Sequence, residues 1–231
     1  MQKRFHFSFF IFHFSLLCFM LLALWAIFLW APIEKTMGDV QRIFYFHVPS
    51  AWVSFLSFLV VFISSLLYLI TRKNIFDHTA QASAELGVLF SSFVLITGPL
   101  WAKPVWGIWW TWDARLTSTL VLWLIYISYL MLRSFIPQEQ KKKTLSAVLG
   151  IVGFIDVPIV YLSIRWWRTQ HPAPVIGGGE GSGIDPVMFK TLMISFAAFL
   201  LFYFLLMKLR LGILKAANEL KEIRELFTFK S

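Results

Sequence analysis

The sequence contains few charged residues and almost no cysteine. Only 14% of its 231 residues are charged, and Cys18 is its single cysteine. Soluble domains are about a quarter charged, so a soluble globular protein is excluded. One cysteine cannot form an intramolecular disulfide, a thiolate metal cluster or a Cys-x-x-Cys-His site for covalent haem. Any metal or porphyrin must therefore be held by other ligands.

A phosphate-binding motif is also missing. The glycine-rich run from Gly177 to Gly183 lacks the Lys-Ser/Thr pair and the flanking strand of a phosphate loop, and we interpret it as a flexible hinge. Nothing in the chain resembles a Walker motif. We therefore assign no enzyme activity to the chain.

Long apolar runs dominate the sequence. Hydrophobic residues make up 58% of the chain, and the mean hydropathy is +0.72. Runs of about twenty residues match the length of a membrane-spanning helix, and they lack the short alternation of an outer-membrane barrel. We predict an all-α integral membrane protein with one polytopic domain over 1–231. The six predicted spans are 7–31, 50–70, 81–100, 116–136, 145–164 and 187–207.

Six spans place both termini on one side of the membrane. About two thirds of the 21 Lys and Arg residues lie on that side, which the positive-inside rule makes cytoplasmic. This topology accounts for most of the net charge of +9, so we expect contact with membrane lipid and no nucleic-acid partner. The first run exceeds the length of a signal peptide and is predicted to be an uncleaved span. The mixed-charge residues 208–231 are predicted to form a cytoplasmic tail near anionic headgroups.

Under this topology all 11 tryptophans lie in the outer half of the membrane or in outer loops. A belt that only anchors the protein would populate both interfaces. The richest stretch is 101–117, between the third and fourth spans. If its middle is helical, Trp106, Trp109, Trp110 and Asp113 share one face, with Gly107 leaving a gap. Such a face suits a large planar ligand, although a re-entrant amphipathic helix would also fit.

Three charged residues near this stretch allow two interpretations each. Asp113 directly precedes the fourth span, where it either caps the helix or serves a ligand. Arg115 and Arg42 are the nearest candidates to bind a carboxylate bidentately, and either can instead snorkel to lipid phosphate.

Only two of the five histidines face outward. His47 precedes the second span and lies close to Pro49, which suits the first turn of a helix. His171 lies in the outer loop before the sixth span, next to Pro172. A loop histidine is usually a solvated side chain. Two on the same face beside aromatics suggest an axial pair for a haem iron.

Asp156 is an ionisable residue within the fifth predicted span. Intramembrane carboxyl groups are often functional, but Pro158 favours a structural interpretation here. The proline leaves the carbonyl of Phe154 without its usual amide partner, and a protonated Asp156 could donate to it or to a neighbouring helix.

The tryptophan-rich stretch resembles a known signature. Trp106-Gly-x-Trp109-Trp110-x-Trp112-Asp113-x-Arg115-Leu116-Thr117 is similar, without a gap, to the WWD segment of a haem-handling superfamily, and most closely to the CcmC family. His47 and the His171 loop occupy the places of that family's two outer histidines. Larger relatives of the CcmF and CcsA type carry additional membrane histidines that are missing here.

The resemblance implies a complete haem site. It implies that His47 and His171 are the axial ligands of the iron and that the tryptophans bind the apolar porphyrin ring. The implied haem-binding residues of the segment are Trp106, Gly107, Trp109, Trp110, Trp112, Asp113, Arg115 and Leu116. We add Arg42 and Arg115 as expected propionate partners, from their charge and position.

The resemblance also implies a function and partners. Proteins of this family collect haem b at the outer face of the bacterial inner membrane, facing the periplasm, and load it onto the haem chaperone CcmE. They work with CcmD and with the ABC transporter subunits CcmA and CcmB. We expect the His171 loop to move on its glycine hinge during this transfer.

Two other functional classes are less well supported by the residues. A b-type cytochrome in electron transfer would normally bury its histidine pair within the helix bundle. A small-solute transporter would show inverted repeats and helices broken at the midplane, and the sequence indicates neither.

Overall fold

The computed structural model describes residues 2–167, 169–171 and 183–228, and these form a helical bundle. No strand occurs in these ranges apart from an isolated bridge between Glu34 and Gly38. A π-helical turn (Ala26–Trp30) and a 3-10 helix (Asp39–Ile43) lie between the first two α-helices. The α-helices are α1 (Gln2–Trp25), α2 (Phe44–Thr71), α3 (Asn74–Trp106), α4 (Ala114–Phe135), α5 (Glu139–Gly153), α6 (Asp156–Trp166) and α7 (Pro186–Thr228).

The prediction of an all-α multi-pass membrane protein is confirmed. Six stretches are long and apolar enough to cross a membrane: Ile11–Trp30, Asp39–Thr71, Asn74–Trp106, Ala114–Phe135, Glu139–Trp166 and Pro186–Lys221. The number of spans agrees with the sequence, and most boundaries agree to within a few residues. The second, third and fifth stretches begin earlier than predicted. Residues 208–228 simply continue α7, so the predicted tail is part of one long helix.

Helix α2 lies at the centre of the bundle. It packs against α3, α5 and α7, while α4 packs against α3, α5 and α6. The interface between α2 and α3 depends on a small residue, since a Cβ at Gly87 would collide with the ring of Phe58. That ring in turn stacks on Tyr126 at 3.8 Å. Close approach through small residues is the usual way for membrane helices to pack, because lipid gives no hydrophobic driving force between them.

The start of α2 differs from the sequence prediction. The helix begins at Phe44, so both His47 and Pro49 lie inside it, whereas we expected His47 in a loop and Pro49 in the first turn. Pro49 has no N–H to donate to the carbonyl of Tyr45. The hydroxyl of Ser195 on α7 donates to that carbonyl instead. This bond satisfies the freed oxygen and joins α7 to α2 beside His47.

The fifth span is interrupted at residues 154–155, between α5 and α6. The carbonyl of Phe154 accepts a hydrogen bond from the amide of Val157 at 3.1 Å, so a tight turn replaces the bond that Pro158 cannot make. Within the described residues, Oδ2 of Asp156 is buried without a hydrogen-bond partner. Because the carbonyl of Phe154 already accepts from Val157, the hydrogen bond that Asp156 could have donated is not needed to satisfy it.

The bundle has two ends with different chemistry. The Trp-rich end comprises the C-terminal ends of α3 and α6 and the N-terminal ends of α2, α4 and α7. The opposite end contains the start of α3 and the end of α4, where Arg133 donates to both carboxylate oxygens of Asp77. The residues expected to bind a ligand all lie at the Trp-rich end.

Candidate functional site

The segment 107–113 is not helical. Helix α3 ends at Trp106, and Gly107 follows with φ +78°, a left-handed conformation that a side chain would strain. Its amide donates to the carbonyl of Lys103 at 3.0 Å, and the Lys103 ammonium donates back to the Gly107 carbonyl at 2.7 Å. The predicted helical face of Trp106, Trp109, Trp110 and Asp113 is therefore wrong, and a re-entrant helix is not formed either.

Three tryptophans project from this irregular segment instead. Trp109 and Trp112 are 54% and 76% exposed, whereas Trp110 is half-buried and meets Trp112 edge to face at 5.7 Å. The ammonium of Lys103 lies 6.0 Å from the centre of the Trp109 ring, close enough for a cation–π contact. Indole surface thus remains open at this end of the bundle.

Asp113 is the N-cap of α4. Its Oδ1 accepts hydrogen bonds from the amides of Arg115 at 2.9 Å and Leu116 at 3.0 Å. Its Oδ2 accepts from the hydroxyl of Thr111 at 2.9 Å. Both carboxylate oxygens are thereby engaged, and the capping interpretation accounts for the residue. The cap directs the chain of the tryptophan segment into the helix that carries Arg115.

His47 projects from the start of α2 against the last turns of α3. Its Nδ1 lies 2.9 Å from the hydroxyl oxygen of Thr97, and its ring meets Trp101 edge to face at 5.8 Å. A Cβ at Gly98 would lie 3.5 Å from Cε1 of the imidazole. Thr97 and Gly98 of one helix thus contact the Nδ1 and Cε1 edge of the ring.

The structure brings three of the predicted residues together. Both His171 and Arg115 lie within electrostatic range of the imidazole of His47. His171 follows α6 in the short described segment 169–171, where its amide donates to the Thr169 hydroxyl at 3.1 Å. Residues that are distant in the sequence thus converge at the Trp-rich end.

Several buried donors at this end have no hydrogen-bond partner among the described residues. They are Nη1 of Arg115, the indole N–H groups of Trp101 and Trp110, and the hydroxyl of Thr117. A buried donor without a partner costs about 1–3 kcal/mol, so such groups are expected where a ligand supplies the acceptor. The donor set fits an anionic, planar ligand, since it combines a guanidinium with indole N–H groups. Haem, with two propionates and an apolar ring, has this chemistry.

Arg42 forms hydrogen bonds with the loop between α1 and α2 and with the π-helical turn before it. Its Nε donates to Asp39 at 2.9 Å, and its Nη1 donates to the carbonyl of Ile27 in the π-helical turn. Nearby, Glu34 accepts backbone hydrogen bonds from Met37 and Thr36, which lower the pKa of its carboxyl group. Arg42 therefore orders the loop between α1 and α2, and of the two predicted arginines only Arg115 has a buried donor without a partner in the described part of the chain.

The glycine-rich run was predicted from the sequence, whereas Thr97 was not. Residues 177–182 of the glycine-rich run and Pro172 lie outside the described residues; Gly183 is exposed just before α7. The sequence did not point to Thr97 as a partner of His47, since the two are separated by 50 positions and no motif links them. The sequence offered one indication for Thr97, which is a polar residue near the end of an otherwise apolar run.

Comparison with known proteins identifies a family for this chain. A family model described as Heme exporter protein C, CcmC, matches residues 4–224. Heme exporter protein C of Bradyrhizobium diazoefficiens is 38% identical over 75% of this chain and 66% of its own length. The Escherichia coli K12 protein of the same name is 33% identical over 74% of this chain and 69% of its own.

A plant relative is as similar as the bacterial ones. The putative cytochrome c biosynthesis ccmC-like mitochondrial protein of Marchantia polymorpha is 37% identical over 73% of this chain and 71% of its own length. The family model covers the spans, the tryptophan segment and both outer histidines. The chain therefore belongs to the CcmC family of haem exporter proteins.

Proposed function

We propose that this protein binds haem b non-covalently at the Trp-rich end of its bundle and delivers it to the haem chaperone CcmE during cytochrome c biogenesis. Membership of the haem exporter protein C family supports the broader role in haem handling. The observation that carries the proposal is the convergence of His47, His171 and Arg115, together with the buried donors that lack partners.

In this proposal His47 and His171 are the axial ligands of the iron. Neutral imidazole is a standard ligand of haem iron, and the chain offers no thiolate near the site because Cys18 lies in α1. Arg115 binds a propionate, which would satisfy its buried Nη1. Arg42 acts mainly by holding the π-helical turn and the first loop in place.

The tryptophans would contact the macrocycle. Trp109 and Trp112 are exposed and Trp110 meets Trp112 edge to face, so these rings can hold the edge of a planar ring rather than cover it completely. Trp106 and Leu116 flank the segment. Gly107 ends α3 and Asp113 caps α4, so these two residues determine the path of the backbone between the helices. Exposed rings on an irregular segment suit a cargo that has to leave again.

Delivery requires a site that a partner can reach. We propose that the Trp-rich end faces the periplasm from the bacterial inner membrane, where CcmE takes the haem, and that CcmD and the ABC transporter subunits CcmA and CcmB assemble with the protein. The exposure of Trp109 and Trp112 supports an accessible site. The distribution of Lys and Arg supports the orientation.

The experiment is an absorption spectrum of the purified full chain, with and without CcmE. We expect substoichiometric haem that acid-acetone extracts completely, and transfer of that haem to CcmE. His47→Ala and His171→Ala should each lose the low-spin spectrum, and added imidazole should restore it. His78→Ala, at the opposite end of α3, is the matched control and should keep the wild-type spectrum.

Two results would contradict the proposal. Unchanged spectra and unchanged delivery in both histidine variants would remove the ligand assignment. Haem that stays bound and cycles between oxidation states, without moving to CcmE, would instead indicate a b-type cytochrome in electron transfer.

A further inference from the structure

The imidazole of His47 is held by one turn of α3. Thr97 meets its Nδ1, Gly98 lies against Cε1, and Trp101 meets the ring edge to face. These three residues come from positions 97–101 of one helix. The contacts with Thr97 and Gly98 lie on the Nδ1 and Cε1 side of the ring, and no described residue hydrogen-bonds to Nε2, so Nε2 is the nitrogen left for a ligand.

The direction of the hydrogen bond between Thr97 and His47 follows from the hydroxyl's other contact. Thr97 Oγ1 lies 2.6 Å from the carbonyl of Phe93, one turn earlier in α3. A carbonyl can only accept, so the single hydroxyl hydrogen of Thr97 is donated to Phe93. The second carbonyl within reach, that of Val94, lies at 3.5 Å and is a weaker acceptor.

With its hydrogen committed, the Thr97 oxygen can only accept from His47. The hydrogen of the neutral imidazole must then reside on Nδ1, at 2.9 Å from that oxygen. The other nitrogen, Nε2, keeps its lone pair. A lone pair on Nε2 is what an imidazole needs to coordinate a metal ion.

We propose that Thr97 is a positioning residue that fixes His47 as the Nδ1–H tautomer and so presents Nε2 to the haem iron. Metal-binding histidines commonly donate their second ring N–H to a fixed acceptor, which sets the tautomer and raises the basicity of the ligating nitrogen. Here the acceptor is a threonine hydroxyl, itself oriented by the helix backbone. The inference rests on the proposed haem ligation by His47.

The tautomer is measurable in the haem-free protein. Histidine labelled with ¹⁵N distinguishes a protonated from an unprotonated ring nitrogen, and the signals of His47 are identified by their loss in His47→Ala. We expect Nδ1 protonated and Nε2 unprotonated in the wild type. A wild-type His47 with its hydrogen on Nε2 would overturn the inference, whatever the protein does with haem.

The second measurement uses variants of Thr97 in the haem-loaded protein. Thr97→Val keeps the shape of the side chain and removes the acceptor, so haem affinity should fall by about 10–100-fold. The remaining haem should have a more positive reduction potential, because an imidazole that donates no hydrogen bond is a poorer electron donor to iron. Thr97→Ser restores the hydroxyl and should recover both properties.

A matched control separates the contact with His47 from the helix itself. Thr79 also lies in α3 and makes the same bond to the carbonyl four residues earlier, at 2.8 Å from Ile75, but at the opposite end of the bundle. Thr79→Val should leave both haem affinity and potential unchanged. If Thr97→Val behaves like Thr79→Val, the inference is wrong.

The results also separate this inference from the proposed function. If His47→Ala keeps its haem, the ligation proposal fails, while the ¹⁵N measurement still decides whether Thr97 sets the tautomer. If His47→Ala loses its haem but Thr97→Val keeps the wild-type affinity, potential and tautomer, ligation by His47 stands and the role of Thr97 is refuted. Should Thr97→Val not fold, the wild-type tautomer and the Thr97→Ser variant decide the question.

Discussion

The two ends of the bundle treat buried arginine differently. At the opposite end, Arg133 donates to both oxygens of Asp77 at 2.7 and 2.8 Å and to Gln81 at 2.8 Å, although its Nε has no partner within the described ranges. Both ion-pair side chains are almost fully buried, at 8% and 3% exposed. At the Trp-rich end, Arg115 has a buried Nη1 with no hydrogen-bond partner among the described residues.

The ion pair between Arg133 and Asp77 extends into a network. Gln81 donates to Glu85, which in turn is paired with Arg210 of α7. Helices α3, α4 and α7 are thereby joined by charges that the chain itself provides. The difference suggests that one end uses its charges to hold the helices together, whereas the other keeps donors for a ligand. The predictions below test this division of labour.

The largest effect is expected from breaking the buried ion pair. Asp77→Ala leaves the Arg133 guanidinium buried without its carboxylate, and the loss of one partner of such a pair costs about 3–5 kcal/mol. The free energy of unfolding, measured by titration with a denaturing detergent, should fall by that amount. Haem content per folded molecule should stay at the wild-type value. Loss of haem without loss of stability would contradict the separation of the two ends.

The second prediction concerns Arg115. Arg115→Leu removes the guanidinium, and hydrogen bonds to charged groups contribute about 1.5–3 kcal/mol. Haem affinity should therefore fall. The free energy of unfolding should stay the same or rise, because the substitution removes the Nη1 donor that is buried without a partner in the wild type. Arg115→Lys retains the charge but not the two-pronged geometry, so its affinity should be intermediate. A variant that loses stability and keeps its affinity would make Arg115 a structural residue like Arg133.

The sequence predicted those features of the fold that depend on the length of the hydrophobic runs, namely the number of spans and their helical structure. Apolar runs of about twenty residues require helices in a membrane, so six spans could be counted from composition alone. The beginning of α2 could not be placed in this way. His47 and Pro49 resemble loop residues, and the bond that makes Pro49 acceptable in a helix joins the carbonyl of Tyr45 to Ser195, 150 positions later than Tyr45.

The candidate site was predicted in its residues but not in its local geometry. The spacing of Trp106, Trp109 and Trp110 matched a helix, yet Gly107 and Asp113 are respectively a typical helix stop and a typical helix start. Those two local signals decide the structure of the segment. The contact of His47 with Thr97 joins different helices, and no local pattern in the sequence encodes it.

The smallest predicted effect compares one glycine from each end of the bundle. A Cβ added at Gly107 or at Gly212 would meet no atom within 4 Å, so neither substitution creates a steric clash. The backbones differ, however. Gly107 has φ +78° at the end of α3, whereas Gly212 lies within the regular helix α7.

The same substitution should therefore have opposite signs at the two positions. Gly107→Ala forces a side chain into the left-handed region and should destabilise the protein by about 1 kcal/mol. Gly212→Ala removes backbone freedom from the unfolded chain and should stabilise the helix by about 0.5–1 kcal/mol. Detergent unfolding of both variants against the wild type measures the difference. Equal effects would mean that the left-handed turn at Gly107 is not kept in the membrane, and the tryptophan segment would then continue α3 as a helix, as its spacing alone suggests.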